Sequence, residues 1–142
     1  MRAIKLLAIL LGAYLAIVVA FESLVGIMGR RQAARGVQPG ESWLVITTSD
    51  ARGSTDTVVA GVESGGQLYV AANHWIHGWY DRAIANPDVE ITRAGERLAY
   101  RAVPVTGEER DHIARDYRLP WAIRVLTGFP PRSFLRLDPR SP

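Results

Sequence analysis

Hydrophobic positions follow two regimes along the chain. From Leu6 to Phe21 the run LLAILLGAYLAIVVAF carries no charge, and apolar character resumes after Glu22 through Leu24, Val25, Ile27 and Met28. A helix of about 23 residues spans roughly 35 Å, enough for a bilayer core of roughly 30 Å. Apolar residues lie all around such a helix, so it requires lipid or a protein interior. From Ser42 the pattern shortens to strand-like runs punctuated by turn residues. SWLVITTS ends at Asp50 to Gly53, and Thr55–Val62 is joined through Ser64-Gly65-Gly66 to Gln67–Ala72. DVEIT alternates cleanly and turns at Ala94-Gly95 into Glu96–Val105, with Pro104 expected at a strand end. A last short strand, SFLRLD, lies between Pro131 and Pro139.

Helical spacing appears between these strands. Trp79, Tyr80, Ala83 and Ile84 predict a helix over Ile76 to Ala85, stopped by Asn86-Pro87 because proline disfavours α geometry in the residue before it. Thr106-Gly107-Glu108-Glu109 has capping-box spacing and opens a helix to about Arg118, and Trp121 to Thr127 is a further short turn. Three strands, a helix, two strands, a helix and a last strand, with short connections, predict a mainly β (α+β) domain. A small antiparallel barrel or closed sheet with peripheral helices fits best.

The apolar start has three readings. Arg2 and Lys5 before a short apolar core, with a cut after Ala20, fit a signal peptide. A buried core helix would be unusually uniform for so small a domain. A membrane anchor fits best, because the run continues past Ala20, and Glu22 would then lie near the interface or face a partner. The division is therefore 1–28 as a transmembrane anchor, 29–41 (GRRQAARGVQPGE) as a basic flexible linker, and 42–142 as the folded domain. Arg30, Arg31 and Arg35 after the helix lean towards a cytoplasmic domain on a single-pass cell-membrane protein, and would sit well against anionic lipid.

Composition narrows the chemistry. Hydrophobic residues make up 48% and charged residues 22%, which excludes disorder. A net charge of +3 with no basic stripe between aromatics argues against a nucleic-acid partner. The absence of cysteine removes disulfides, thiolate metal sites and cysteine nucleophiles. No GxSxG, P-loop or GxGxxG occurs. His74 and His77 share a helix face at most with Asp81, so they read as structural or surface residues and no metal site is expected. His112 reads as solvated. The densest chemistry is the segment Asn73 to Arg82, with two tryptophans, a tyrosine, two histidines and an arginine at a strand-to-helix junction. Core filling by Trp79 and Tyr80 accounts for it as well as a rim where aromatic faces meet a planar ring and helix amides meet an anion.

The stretch LYVAANHWIHGWYDRAIANPDVEI, followed by VTGEERDHI and SFLRLDP, resembles the deazaflavin (F420)-dependent nitroreductase family. The shared features are Trp79-Tyr80 in a short helix, the stop Ala85-Asn86-Pro87 and the strand Val89–Ile91, within a similarity covering roughly Ser42 to Pro139. The resemblance implies a split β-barrel related to FMN-binding pyridoxamine-oxidase-like domains. It implies an oxidoreductase passing hydride from the cofactor to a quinone, nitro compound or unsaturated lipid-like acceptor. Arg52, Gly53 and Ser54 would meet the cofactor's phosphate end with Arg82. Asn73, His74, Trp75, Trp79 and Tyr80 would line the ring end, and Tyr117 and Trp121 would close over substrate. The chain departs from the family at Asp50 and Ala51, where a basic pair is common, and at Asn73, where a lysine is common. Coenzyme F420 is the expected cofactor, with FMN or haem as alternatives. The rival reading is a non-enzymatic barrel that binds a lipid or assists a membrane complex. A homodimer is a further expectation, since related barrels often pair.

Overall fold

The computed structural model describes residues 2–35, 43–73, 75 and 78–140. Helix α1 (Arg2–Arg35) precedes β1 (Trp43–Asp50), β2 (Gly53–Ser64) and β3 (Gln67–Ala72). Then come α2 (Gly78–Ala85), β4 (Asp88–Arg93), β5 (Glu96–Pro104), α3 (Gly107–Asp116), α4 (Trp121–Leu126) and β6 (Ser133–Pro139). The six strands close into an antiparallel barrel in the order β1-β2-β3-β6-β5-β4. The split-barrel expectation therefore holds in element order and in closure.

Strand alternation sends one face of each strand inward. In β4, Val89 and Ile91 are buried between exposed Asp88 and Glu90. Inward residues Leu44, Ile46, Val70, Leu135 and Leu137 fill the barrel, and α2 adds Trp79 and Ala83 to the same core. Each such aliphatic side chain contributes about 1.5–3 kcal/mol on leaving water. Gly65 and Gly66, at φ 58° and 79°, supply the left-handed pair that a tight β2–β3 turn demands.

A second core lies outside the barrel wall, where α3 places Ile113 over Tyr69, Ala71, Val105 and Phe134. Thr106 is the N-cap residue of α3, but its side chain makes no capping hydrogen bond. The capping box expected from sequence does not form. Glu109 instead accepts from the Tyr69 hydroxyl at 3.0 Å and from Arg136 Nη1 at 3.2 Å, tying α3 to β3 and β6. Arg136 also forks onto Asp138, through Nε at 2.8 Å and Nη2 at 3.2 Å. These two carboxylates hold the Arg136 guanidinium well above its ordinary pKa, and burial followed by Glu109 raises the Tyr69 phenol.

Helix α1 differs from the expected anchor and linker. It continues through Arg35, so residues 29–35 of the expected flexible linker are helical, while 36–41 lie outside the described residues. Arginine, glutamine and alanine are all good helix formers, which accounts for the extension. One stripe of α1, marked by Tyr14, Val18, Glu22, Val25 and Gly29, is buried or half-buried at helical spacing. The helix packs against β2 and α4, and the Tyr14 hydroxyl donates to the Val125 carbonyl at 2.9 Å.

The contact at α4 depends on Gly128. Phe129 N–H bonds the Arg124 carbonyl at 2.9 Å and Gly128 N–H bonds Val125 at 3.2 Å, a Schellman ending with Gly128 at φ 69°. A Cβ there would meet Val18 Cγ1 at 3.0 Å and Trp75 Nε1 at 3.4 Å. Gly128→Ala is expected to destabilise the protein by about 1–3 kcal/mol through the left-handed backbone, and to loosen α1. A thermal melt of the variant against the parent checks the first effect.

Candidate functional site

The hairpin joining β1 to β2 and the outer face of α2 enclose an open cleft of about 550 Å³, lined by Ser49, Asp50, Ala51, Asp81, Arg82, Ala85 and Asn86. Leu44, Ile46 and Thr48 form the inward row of β1. Thr48 is a polar residue that is fully buried and accepts from Arg82 Nε at 3.0 Å. Among the described residues no hydrogen bond or ion pair occupies the outer nitrogens of the guanidinium. Nη1 lies 3.3 Å from where a Cβ on Gly78 would be, so the glycine lets the arginine lie back across its own helix.

At the hairpin tip, Asp50 Oδ1 accepts from Arg52 N–H at 2.7 Å. The aspartate that replaces a basic residue thus closes the turn as an Asx motif. Arg52 is exposed beside it, Gly53 begins β2 at φ 121°, and the Ser54 and Ser49 hydroxyls meet at 2.9 Å. Of the expected phosphate-end residues, Arg82 lines the cleft, while Arg52, Gly53 and Ser54 stand at the hairpin tip outside its lining.

The expected ring-end residues do not form one wall. Trp79 is buried in the barrel, with Tyr80 edge-on at 5.9 Å. Its place is the core rather than a ligand face. Trp75 donates from Nε1 to the Thr127 carbonyl at 2.7 Å, joining it to the α1–α4 contact. Trp121 stands 74% exposed at the start of α4, not folded over Tyr117. His74 and His77 lie outside the described residues.

Asn73 and Tyr117 do come together. Asn73 is buried, its Oδ1 has no partner, and its side chain hydrogen-bonds the Tyr117 phenol. Arg132 spreads over the Tyr117 ring at 5.4 Å and the Phe134 ring at 5.3 Å, and its Nη2 donates to the Tyr117 carbonyl. Burial raises the Tyr117 phenol, against the opposing pull of Arg132 and Asn73, and burial lowers Arg132. A phenol whose pKa is raised on folding favours the native state while protonated. That contribution is intact below pH about 10 and is lost as pH rises through the folded pKa. The unfolding midpoint is expected to fall above pH about 10, and less steeply in Tyr117→Phe, as followed by denaturant melts across alkaline pH.

Thr48 and Arg132 were not singled out from sequence, and Asp81, Ala85 and Asn86, named there for other reasons, were not expected to line the site. Thr48 had a signal, being a polar residue in the inward register of a strand; Arg132 had none, because its carbonyl partners Ala114 and Tyr117 lie on α3 and at its end, 18 and 15 residues away. Ser64, His112 and Asp116 also meet at the surface. The Ser64 hydroxyl donates to Asp116 Oδ2 at 2.6 Å, while His112 Nε2 is 3.4 Å from Ser64 Oγ. The serine proton is directed at the carboxylate, not at the imidazole, so the trio lacks the relay of a serine hydrolase.

Comparison with known proteins bears on this arrangement. The model of the F420H(2)-dependent quinone reductase family matches residues 23–124. Among solved structures, an F420-H2 dependent reductase aligns with 21% identity and a TM-score of 0.54, over 72% of this chain and 100% of that one. A structure described as a domain-swapped dimer aligns with 19% identity and a TM-score of 0.57, over 82% and 95%. A Listeria innocua protein described as a pyridoxamine 5'-phosphate oxidase aligns with 13% identity and a TM-score of 0.50, over 71% and 86%. Among curated proteins there is no match. The solved neighbours carry the split-barrel fold, and the family match, across most of the chain, carries the chemistry. The chain belongs to the F420H(2)-dependent quinone reductase family and is an oxidoreductase with coenzyme F420 as its cofactor.

Proposed function

We propose that the protein is a membrane-associated reductase that passes hydride from reduced F420 to a lipid-soluble quinone. The observation that carries the site is Arg82, fixed on Thr48 and lining the cleft between hairpin and α2. Reduced F420, when bound, supplies the hydride. The anionic tail of the cofactor suits Arg82, with the Ser49 hydroxyl lining the same cleft and Arg52 and Ser54 at the hairpin tip, since charge-assisted donors are what phosphate requires. The Asp50 carboxylate lines the same cleft and works against an anion there, so Arg82 and Arg52 have to outweigh it. The unpaired Asn73 Oδ1 is complementary to an N–H donor of a ring, with Tyr117 beside it. Side chains here bind and orient; rate comes from holding cofactor and acceptor together in the right geometry.

The apolar helix supports association with the cell membrane, which concentrates the site near its acceptor. Arg30, Arg31 and Arg35 favour the cytoplasmic face. The solved neighbour described as a domain-swapped dimer supports pairing of this chain too, which sedimentation in detergent would measure. The test of function is oxidation of reduced F420 by the full-length protein in lipid with a quinone as acceptor. Turnover that saturates in both supports the reading. No F420 binding, or binding without quinone-dependent oxidation, defeats it.

A further inference from the structure

Helix α1 is long and apolar enough to cross a membrane, yet its packing bears on how it meets lipid. The stripe from Tyr14 to Gly29 faces the barrel, leaving residues 2–13 as an overhang of about 18 Å. That overhang covers little more than half of a bilayer core of roughly 30 Å. A crossing centred on the apolar run would put Tyr14 and Val18 near mid-membrane. Their partners Val125 and Gly128 would go with them, along with the Trp75–Thr127 hydrogen bond and Arg124. An arginine at that depth costs about 2.5–3.5 kcal/mol or more.

The polar side chains of the apolar run are already accommodated. Tyr14 donates to Val125, Ser23 donates to its own helix at Val19, and Glu22 is half-buried on the barrel-facing stripe. What remains uncovered is apolar, including Ile9, Ile17, Val19 and Leu24. Next to the α1–α4 contact, Trp121 and Phe129 are exposed, with Arg124 stacked on the Phe129 ring at 5.6 Å. Exposed indole beside a cation suits the headgroup boundary, where tryptophan concentrates. A helix about 10 Å thick fits within one leaflet, and Arg2, Lys5 and Arg31 can reach headgroups by extending their stems. The barrel here supplies the polar side that an interfacial helix normally carries itself.

We infer that the protein is monotopic. Helix α1 lies along one leaflet of an anionic phospholipid bilayer, the α4 face with Trp121 and Phe129 sits in the headgroup layer, and the N-terminus stays on the barrel's side. This deepens the membrane part of the proposed function and rests on it.

The chain has no cysteine, so single thiols report position without interference. Ala3→Cys marks the helix start, and Ala99→Cys marks β5, the strand across the barrel from β2. Each full-length variant is added by detergent dilution to preformed sealed phosphatidylcholine–phosphatidylglycerol vesicles and treated with a membrane-impermeant maleimide. Complete labelling of both before detergent is expected. Quenching of tryptophan fluorescence by brominated phospholipid is expected to fall at least by half in Trp121→Phe. Labelling of Ala3→Cys only after detergent would mean a spanning helix and overturn the inference. Unchanged quenching in Trp121→Phe would also overturn it, as would failure to bind vesicles together with a stable dimer in buffer, which would assign the apolar face to a second copy. These readouts need no cofactor, so the reductase assignment stands or falls separately on its turnover assay.

Discussion

Replacing Arg82 by glutamine is expected to weaken F420 binding about tenfold to a hundredfold while leaving the fold intact. A hydrogen bond to a charged group is worth about 1.5–3 kcal/mol, and each factor of ten in affinity is about 1.4 kcal/mol. Glutamine keeps a donor but loses both the charge and the planar fork. The arginine is also held in place, because Nε is engaged by Thr48. Thr48→Val therefore removes the positioning without touching the charge, and a smaller loss of affinity is expected. Lysine at 82 should not restore binding, since a single ammonium cannot hold Thr48 and also present a two-pronged face. Arg52→Gln should cost less than Arg82→Gln, because Arg52 is exposed at the tip of the turn. Fluorescence titration with F420 measures all four variants, and an unchanged dissociation constant in Arg82→Gln would remove this residue from the site.

Phe134→Ala is expected to be the most damaging single change to stability, at about 3–5 kcal/mol. Phe134 is fully buried on the outer face of β6, beneath α3 and in contact with the outer core of Ile113, Tyr69 and Val105. Truncation opens a cavity there and also removes one of the two rings under Arg132, whose Nε is already buried without a partner. A denaturant midpoint shifted to much lower concentration is the expected reading. Trp121→Ala, although it removes a larger side chain, should move the midpoint little in detergent-free buffer, because Trp121 packs against almost nothing. The contrast between the two separates burial from size.

Much of the barrel could be read from the chain because its signals are local. The alternation in Asp88–Arg93, the glycine pair at 65 and 66 and the proline stop at Pro87 each act within a few residues. What was not legible is decided at long range. Glu109 has capping-box spacing, yet its carboxylate goes to Tyr69 and Arg136, respectively 40 and 27 residues away. Trp79 and Trp121 have the same chemistry in sequence but opposite environments, one inside the barrel and one in the open. In the candidate site, the hairpin and Arg82 were anticipated through family resemblance. The Asx role of Asp50 was not, because a residue substituted away from a family pattern reads as a loss until its new hydrogen bond is seen. Helix α1 runs past the apolar stretch to Arg35 because arginine, glutamine and alanine sustain a helix although their polarity and charge read as linker.

Closure of the barrel places an unequal burden on its six joints. Strand β1 meets β2 along its whole length, from Trp43–Ala60 to Asp50–Gly53, but meets β4 at Val45–Thr92, Ile46–Ile91 and Thr47–Glu90. That short seam is reinforced outside by Arg97, which reaches Thr47 Oγ1 at 2.8 Å and Glu90 at 2.9 Å, while Thr47 donates to Asp56 at 2.6 Å. The clasp is ionic and half-exposed, so salt weakens it while leaving the apolar interior untouched. Amide protons on either side of the β1–β4 seam should therefore exchange with solvent ahead of those in the β1–β2 hairpin, and sooner at high ionic strength, making this joint the zip by which the barrel first opens.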